Sequence, residues 1–393
     1  MRVLIAFDKF KDALSAAEAC AAAAAALRTK HPDWQLDLCP LTDGGEGFCE
    51  TLTRAAQGKL STRSVSGPRD EPVHAPIGFI AAKNIPGNIR QRLAIENRDF
   101  KFENTLAVID LPSASGLALL APGHRDPWHT TTYGTGELLR QAAAAGASSI
   151  LLGLGGSATN DLGLGALAAL GFRFLDATGA PIASPTPATW EMIQHIDRSR
   201  ARPLPPVFIA CDVTNPLFGP HGATATFGPQ KGLRRADVPR LEGQVARMAA
   251  LLCAACGQPL SSAETPGTGA AGGIAFGLMV ASGAKLVPGY DLVSAWLDLP
   301  ARLAAADLVL TGEGRFDATS LGGKGPGSLV TAARRLGKPV HVFAGSLGRP
   351  ALNEIEGPAD DPQQHAITPT GLPLAEALPR TAELLAAAVG RVL

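Results

Sequence analysis

Residues 2–30 read RVLIAFDKFKDALSAAEACAAAAAALRTK. The apolar run RVLIAF is long enough for one buried strand and ends in a charged loop. The alanine-rich SAAEACAAAAAALRTK follows, with little side-chain entropy to lose in a helix and Ser15 placed to cap its N-terminus. The same grammar recurs along the chain. The helical GTGELLRQAAAAG leads to SSILLGL, and VFIACD, ADLVLTGEG and PVHVFAGS each read as a buried strand running into a polar or glycine-rich loop. Such alternation predicts an α/β fold with a mostly parallel, Rossmann-like or flavodoxin-like sheet. Sheets of this kind carry their functional groups on loops at the carboxyl ends of the strands.

At 393 residues the chain exceeds the usual size of one domain. From about Val65 to Asn104 the character changes: SGPRDEPVHAPIGFI and IPGNIRQR are more polar and predict antiparallel strands or an irregular excursion. This change places the start of a second α/β domain, inserted into the first. The expected division is a discontinuous domain of residues 1–62 and 283–393 and an inserted domain of residues 63–282.

Composition narrows the function. Lys+Arg and Asp+Glu each total 35, so no net positive field favours a nucleic-acid partner. Apolar runs are interrupted well before the roughly 20 residues that span a bilayer. The N-terminus lacks the apolar length of a signal peptide, and a cytoplasmic location is expected. Six irregularly spaced cysteines suit reduced thiols. The Cys253/Cys256 pair lies in RMAALLCAACG without a second pair or nearby histidines, so it reads as helix with Gly257 closing its end. A homo-oligomer is compatible with all of this.

Six polar loops could carry chemistry: FDKFKDALS (7–15), LTDGGEG (41–47), GLGGSATND (153–161), CDVTNPLFG (211–219), FGPQKG (227–232) and TGEGRFDATSLGGKGPG (311–327). Together they offer carboxylates, lysines, an arginine and many backbone N–H groups. That inventory suits a phosphate-bearing, metal-bound ligand. Simple turns and helix caps account for some of these residues, Ser15 among them. They do not account for Glu313, Arg315 and Asp317 following a buried strand so closely.

Two rivals arise from the same loops. Gly153-x-Gly155-x-x-Ala158, with Asp176 about twenty residues on, fits the permissive dinucleotide fingerprint of an NAD(P)-dependent oxidoreductase. A non-catalytic sugar-acid binding protein on two α/β lobes is the other. The P-loop pattern, the protein-kinase signatures and the serine-hydrolase elbow are all absent. Residue by residue, the reading reaches a two-domain α/β enzyme with an anion and metal site, phosphoryl transfer leading.

Taken in order, IAFDKFKDALSA, TDGGEG, SASGL (113–117), TTYGTGEL (131–138), GLGGSATND, CDVTNPL, FGPQKG, PGTGAAGG (266–273) and TGEGRFD with GKGPG resemble the bacterial type-1 glycerate kinase family over essentially the whole chain. The resemblance implies ATP- and Mg²⁺-dependent phosphorylation of D-glycerate, to 2-phosphoglycerate, in sugar-acid and glyoxylate catabolism. It also implies two α/β domains with the active cleft between them. The family often has glycine where Asp12 stands, glutamine near Thr319 and glutamate where Asp110 stands. On this basis Lys9, Lys11 and Lys324 are expected to neutralise phosphate oxygens, with backbone donors around Gly155, Gly156, Gly322 and Gly323. Arg315 is expected to grip the substrate carboxylate. Asp8, Asp43 and Asp212 are the candidates for magnesium and for the base, with Asp161 and Glu313 behind them, and Ser157, Thr159, Asn160 and Asp161 are expected to face the cleft.

Overall fold

The structure, a computed structural model, describes residues 1–93, 104–317, 320, 325–348 and 362–393. Its chain contacts divide it into two compact units, Met1–Asp43 with Val293–Leu393, and Gly44–Leu292.

The first unit is built on a five-stranded parallel sheet in the order Gln363–Ala366, Val340–Leu347, Leu308–Phe316, Arg2–Phe7, Gln35–Leu38. Val3, Ile5 and Phe7 are fully buried and pack with Ala19, Ala23 and Leu27 of the helix Ala16–Lys30. Leu385 and Val389 of the closing helix Thr381–Val392 belong to the same core. The small alanines let that helix lie close, and its start is fixed by a capping box. Ser15 Oγ accepts from Glu18 N while Glu18 accepts from Ser15 N.

The second unit carries a six-stranded sheet in the order Lys285–Val287, Val207–Ala210, Ser149–Gly153, Thr105–Asp110, Pro72–Ala81, Lys59–Ser66. Its first four strands are parallel and its last two antiparallel. Of the polar stretch from about Val65 to Asn104, Pro72–Ala81 is the expected antiparallel strand, pairing with Lys59–Ser66 on one side and Thr105–Asp110 on the other. The unit boundaries differ from those expected at 62 and 283. Lys59–Ser66 pairs along its whole length with Pro72–Ala81, and the helix Phe48–Ala55 lies on that sheet. A Cβ on Gly78 would stand 1.8 Å from Thr53 Oγ1, so the helix approaches the strand as closely as a glycine permits. Sheet membership carries residues 44–62 into the second unit.

Among the described residues no helix is long and apolar enough to cross a membrane. Cys253 and Cys256 sit in the helix Val238–Cys256, closed by Gly257 at φ 66°.

Candidate active site

In the first unit the carboxyl end of Arg2–Phe7 delivers Asp8 and Lys9. Asp8 N donates to Gly312 O at 3.0 Å, and Lys9 N donates to Asp8 Oδ1 at 2.7 Å. Lys9 Nζ stands 3.9 Å from Asp43 Oδ1. Burial pushes the Asp8 carboxyl up to about 7, and the negative charges of Asp43 and Glu313 add to this while Lys9 opposes it. Glu313, on the adjacent strand, is also raised, again by burial first and then by Asp317 and Asp43 against a hydrogen bond from Ser320 and the charge of Lys9. Asp8 Oδ2 would lie 3.4 Å from a Cβ on Gly325, where the helix Gly325–Arg335 begins. The Phe10–Leu14 turn that follows holds Asp12 at φ 62°, a conformation aspartate tolerates and glycine adopts freely.

Other expected groups of this unit are less concentrated. Lys11 is exposed. The Arg315 side chain is 70% exposed and its Nε pairs with Asp317 Oδ2 at 2.9 Å, so gripping a ligand requires that pair to be shared or exchanged. Gly322, Gly323, Lys324 and Thr319 lie outside the described residues.

In the second unit the GLGGSATND loop leaves the strand Ser149–Gly153 and turns inward. Its tip, Gly155–Gly156, is the accessible part, whereas Ser157, Thr159, Asn160 and Asp161 are buried. Asp161 accepts from Thr132 N (2.8 Å), Thr132 Oγ1 (2.8 Å), Gly163 N (3.1 Å) and Gly165 N (3.2 Å). Four donors on one carboxylate mark an internal anchor, and in this unit its oxygens are committed to holding the loop. Gly155 N donates to Gly44 O at 3.2 Å, so this N–H is already engaged. Asp212, after the strand Val207–Ala210, accepts from Tyr290 N with both oxygens at 3.0 Å, the position of a cap on the helix Gly289–Trp296.

Comparison with known proteins bears on both loops. The model of the glycerate kinase family matches residues 3–393. The chain belongs to the glycerate kinase family. It is a kinase that phosphorylates glycerate. A glycerate kinase of Bacillus subtilis strain 168 is 37% identical over 389 residues, 98% of this chain and 95% of the relative. A glycerate 2-kinase of Escherichia coli strain K12 is 38% identical, covering 88% and 86%. A crystal structure assigned as glycerate kinase 2 from Salmonella typhimurium LT2 superposes with a TM-score of 0.72 at 36% identity, covering 100% of this chain and 97% of that one.

The geometry of the glycine loop does not fit the dinucleotide reading. A fingerprint helix opens at the glycines, but the next helix here is Leu164–Ala169. Asp176, cast as the ribose acid, instead accepts from Thr178 N, Thr178 Oγ1 and Ala180 N in an exposed turn.

Two residues without an assigned role emerge from the structure. Asp110, 1% exposed, accepts from Cys49 N at 3.1 Å and from Ser113 Oγ. It thereby caps the helix Phe48–Ala55, whose own N-cap Gly47 has no side chain to offer. Lys231 of FGPQKG is 2% exposed and donates from Nζ to Thr159 O at 2.6 Å. The one sequence signal for Lys231 is the glycine on each side of the motif, which marks a tight turn rather than a free lysine.

Proposed function

We propose that the chain transfers the γ-phosphoryl group of ATP to the 2-hydroxyl of D-glycerate, giving 2-phosphoglycerate in cytoplasmic sugar-acid and glyoxylate catabolism. The observation that carries the reading is Asp8, a carboxyl whose proton affinity is lifted to about 7 beside Lys9, Asp43 and Glu313. A base is most useful when its proton affinity lies near the working pH. Asp8 takes the hydroxyl proton as the oxygen bonds to the γ-phosphorus, and the bond to the ADP oxygen breaks in line. Lys9, and Lys11 and Lys324 by family resemblance, neutralise the phosphate oxygens. Arg315 holds the glycerate carboxylate. The GGSATN loop supports the ATP phosphates from its accessible tip at Gly155 and Gly156 with Ser157 beside it, while Thr159 and Asn160 serve from the buried stem.

The carboxylates of the first unit suit Mg²⁺, since hard oxygen donors that raise each other's proton affinity gain from a cation. Among the described residues no cluster of three or more ligands forms a closed metal cage, which agrees with the magnesium habit of using one or two carboxylates together with phosphates. Asp43 would hold the ion, and Asp212 is the weaker candidate because its oxygens serve Tyr290 N. When bound, the ion supplies charge neutralisation on the β- and γ-phosphates.

The test is an ADP-coupled assay with D-glycerate, followed by phosphorus NMR of the product. A signal of 3-phosphoglycerate overturns the regiochemistry, and turnover that persists in excess chelator removes magnesium. The similarity to a protein named glycerate 2-kinase supports the 2-hydroxyl.

A further inference from the structure

FGPQKG is the one motif of the six loops left without a task by the reading above, and its lysine is the most costly residue of the motif. Burying an ammonium without compensation costs several kcal/mol. The site is shaped to hold it there. Gly232 adopts φ 98°, and a Cβ on it would meet Arg125 O at 2.1 Å, so the turn is pressed against the Arg125 segment. The turn Pro229–Lys231 then sends the side chain inward, where Nζ meets Thr159 O. Burial pushes the ammonium down to about 7, and the charge of Asp161 opposes that.

The carbonyl that Lys231 grips belongs to a loop fixed residue by residue from neighbouring segments. Thr130 Oγ1 donates to Ala158 O at 3.1 Å, Ala158 N donates to Ser115 O at 2.9 Å, and Leu162 N donates to Gly272 O at 3.1 Å. Asp161 is held by its four donors. Lys231 is the charged donor of this set, and it acts within the buried stem, two residues beyond Ser157 where the loop leaves its accessible tip. In the same segment Asn160 Nδ2 donates to Thr224 Oγ1 at 3.1 Å, whereas the buried Thr159 Oγ1 and Asn160 Oδ1 have no hydrogen-bond partner among the described residues.

We propose that Lys231 is a positioning residue for glycerate phosphorylation: through the carbonyl of Thr159 it sets the place of Ser157 and of the Gly155–Gly156 tip. The inference rests on the reading that this tip contacts ATP or glycerate. A displacement of about 1 Å at such a contact can cost on the order of 10²-fold in rate. Methionine matches the length of lysine without charge, so Lys231→Met keeps the volume while leaving the Thr159 carbonyl and the Asp161 charge without the ammonium, at a cost in stability.

Lys231→Met is therefore expected to melt below the wild-type temperature and, per folded molecule, to lose about 10- to 10²-fold in kcat/KM. Lys231→Arg, which keeps a cationic donor, recovers most of that loss at an unchanged folded fraction. A purely structural lysine predicts lowered stability with normal kinetics per folded molecule, so the kinetics of the folded fraction decide. Wild-type kcat and KM in folded Lys231→Met overturn the proposal. If Lys231→Met does not fold, Lys231→Gln replaces it, and failure of both neutral variants to fold assigns the ammonium to stability alone and also overturns it. Ser157→Ala separates the two levels: unchanged kcat and both KM values take the tip out of the site, and the inference falls with that reading. A Ser157→Ala defect beside a normal Lys231→Met leaves the site reading standing and sinks the lysine alone.

Discussion

Asp8 and Asp161 both lie on loops at the carboxyl end of a parallel sheet, in motifs that look equally chemical on paper. Among the described residues Asp8 receives one backbone N–H at 2.7 Å, and it shares its surroundings with Asp43, Glu313 and Lys9. Asp161 receives four donors and is fully buried. The difference teaches how to separate a working carboxylate from a structural one. A structural carboxylate has its lone pairs filled by the fold, so removing it strands donors. A working one is left with its charge unresolved, and burial, with the charges of Asp43 and Glu313 added to it, keeps its proton exchangeable near neutral pH.

The comparison breaks most sharply at Asp8. Asp8→Asn should lower kcat by roughly 10²- to 10⁴-fold, the span of general acid–base help. The same change should raise the melting temperature above neutral pH. The folded protein holds the Asp8 proton up to about 7, against an ordinary 3.8, so between these values the native state binds more protons than the unfolded one. Stability is lost as pH rises through that window, and asparagine removes the loss. Melting curves at pH 5 and pH 8 check this: a variant no more stable at pH 8 than the wild type would show that the Asp8 charge carries no strain.

Asp161→Ala should behave in reverse. Four donors lose their acceptor and Lys231 loses a counter-charge, a change on the order of 3–5 kcal/mol by analogy with broken buried pairs. Denaturant melts measure it. A loss under about 1 kcal/mol, the level of a single ordinary hydrogen bond, would erase the distinction between the two aspartates.

The third prediction sharpens the first. Asp43 raises the Asp8 proton affinity and Lys9 lowers it. The acid limb of kcat/KM against pH should therefore move to lower pH in Asp43→Asn and to higher pH in Lys9→Met. Limbs that stay in place in both variants would assign the observed ionisation to another group.

The α/β layering was legible because the apolar runs and the alanine-rich helices have periods and lengths that tertiary contacts do not override. The capping box at Ser15 was equally legible, being a local contract between residues three apart. The domain boundary was not. Lys59–Ser66 carries no label saying which sheet it joins, and only its pairing with Pro72–Ala81 decides. The site splits along the same line. Charges adjacent to a strand end, Asp8 and Lys9, are brought together by one element and could be read. The fate of Asp161 depends on Thr132 and on the N–H groups of Gly163 and Gly165, and that of Lys231 on a turn locked by Gly232, and neither follows from spacing.

Asp212 gives the smallest expected effect and tests the criterion most severely, because it sits on a strand-end loop like Asp8 yet carries a structural bond like Asp161. Both of its oxygens lie 3.0 Å from Tyr290 N, and a Cβ on Gly289 would stand 3.1 Å from Oδ2, so the carboxylate is seated on the first turn of Gly289–Trp296. If the cap is its whole task, Asp212→Ala costs about 1 kcal/mol of stability and leaves kcat close to wild type. If it also serves as base or holds the metal, kcat falls by about 10²-fold or more at nearly unchanged stability. Asn at this position keeps a capping oxygen while removing the charge, so Asp212→Asn isolates the second role. A kinetic defect in Asp212→Asn without a stability defect would show that an engaged carboxylate can still be a working one, and the count of donors would then have to give way to the count of unshared lone pairs as the criterion.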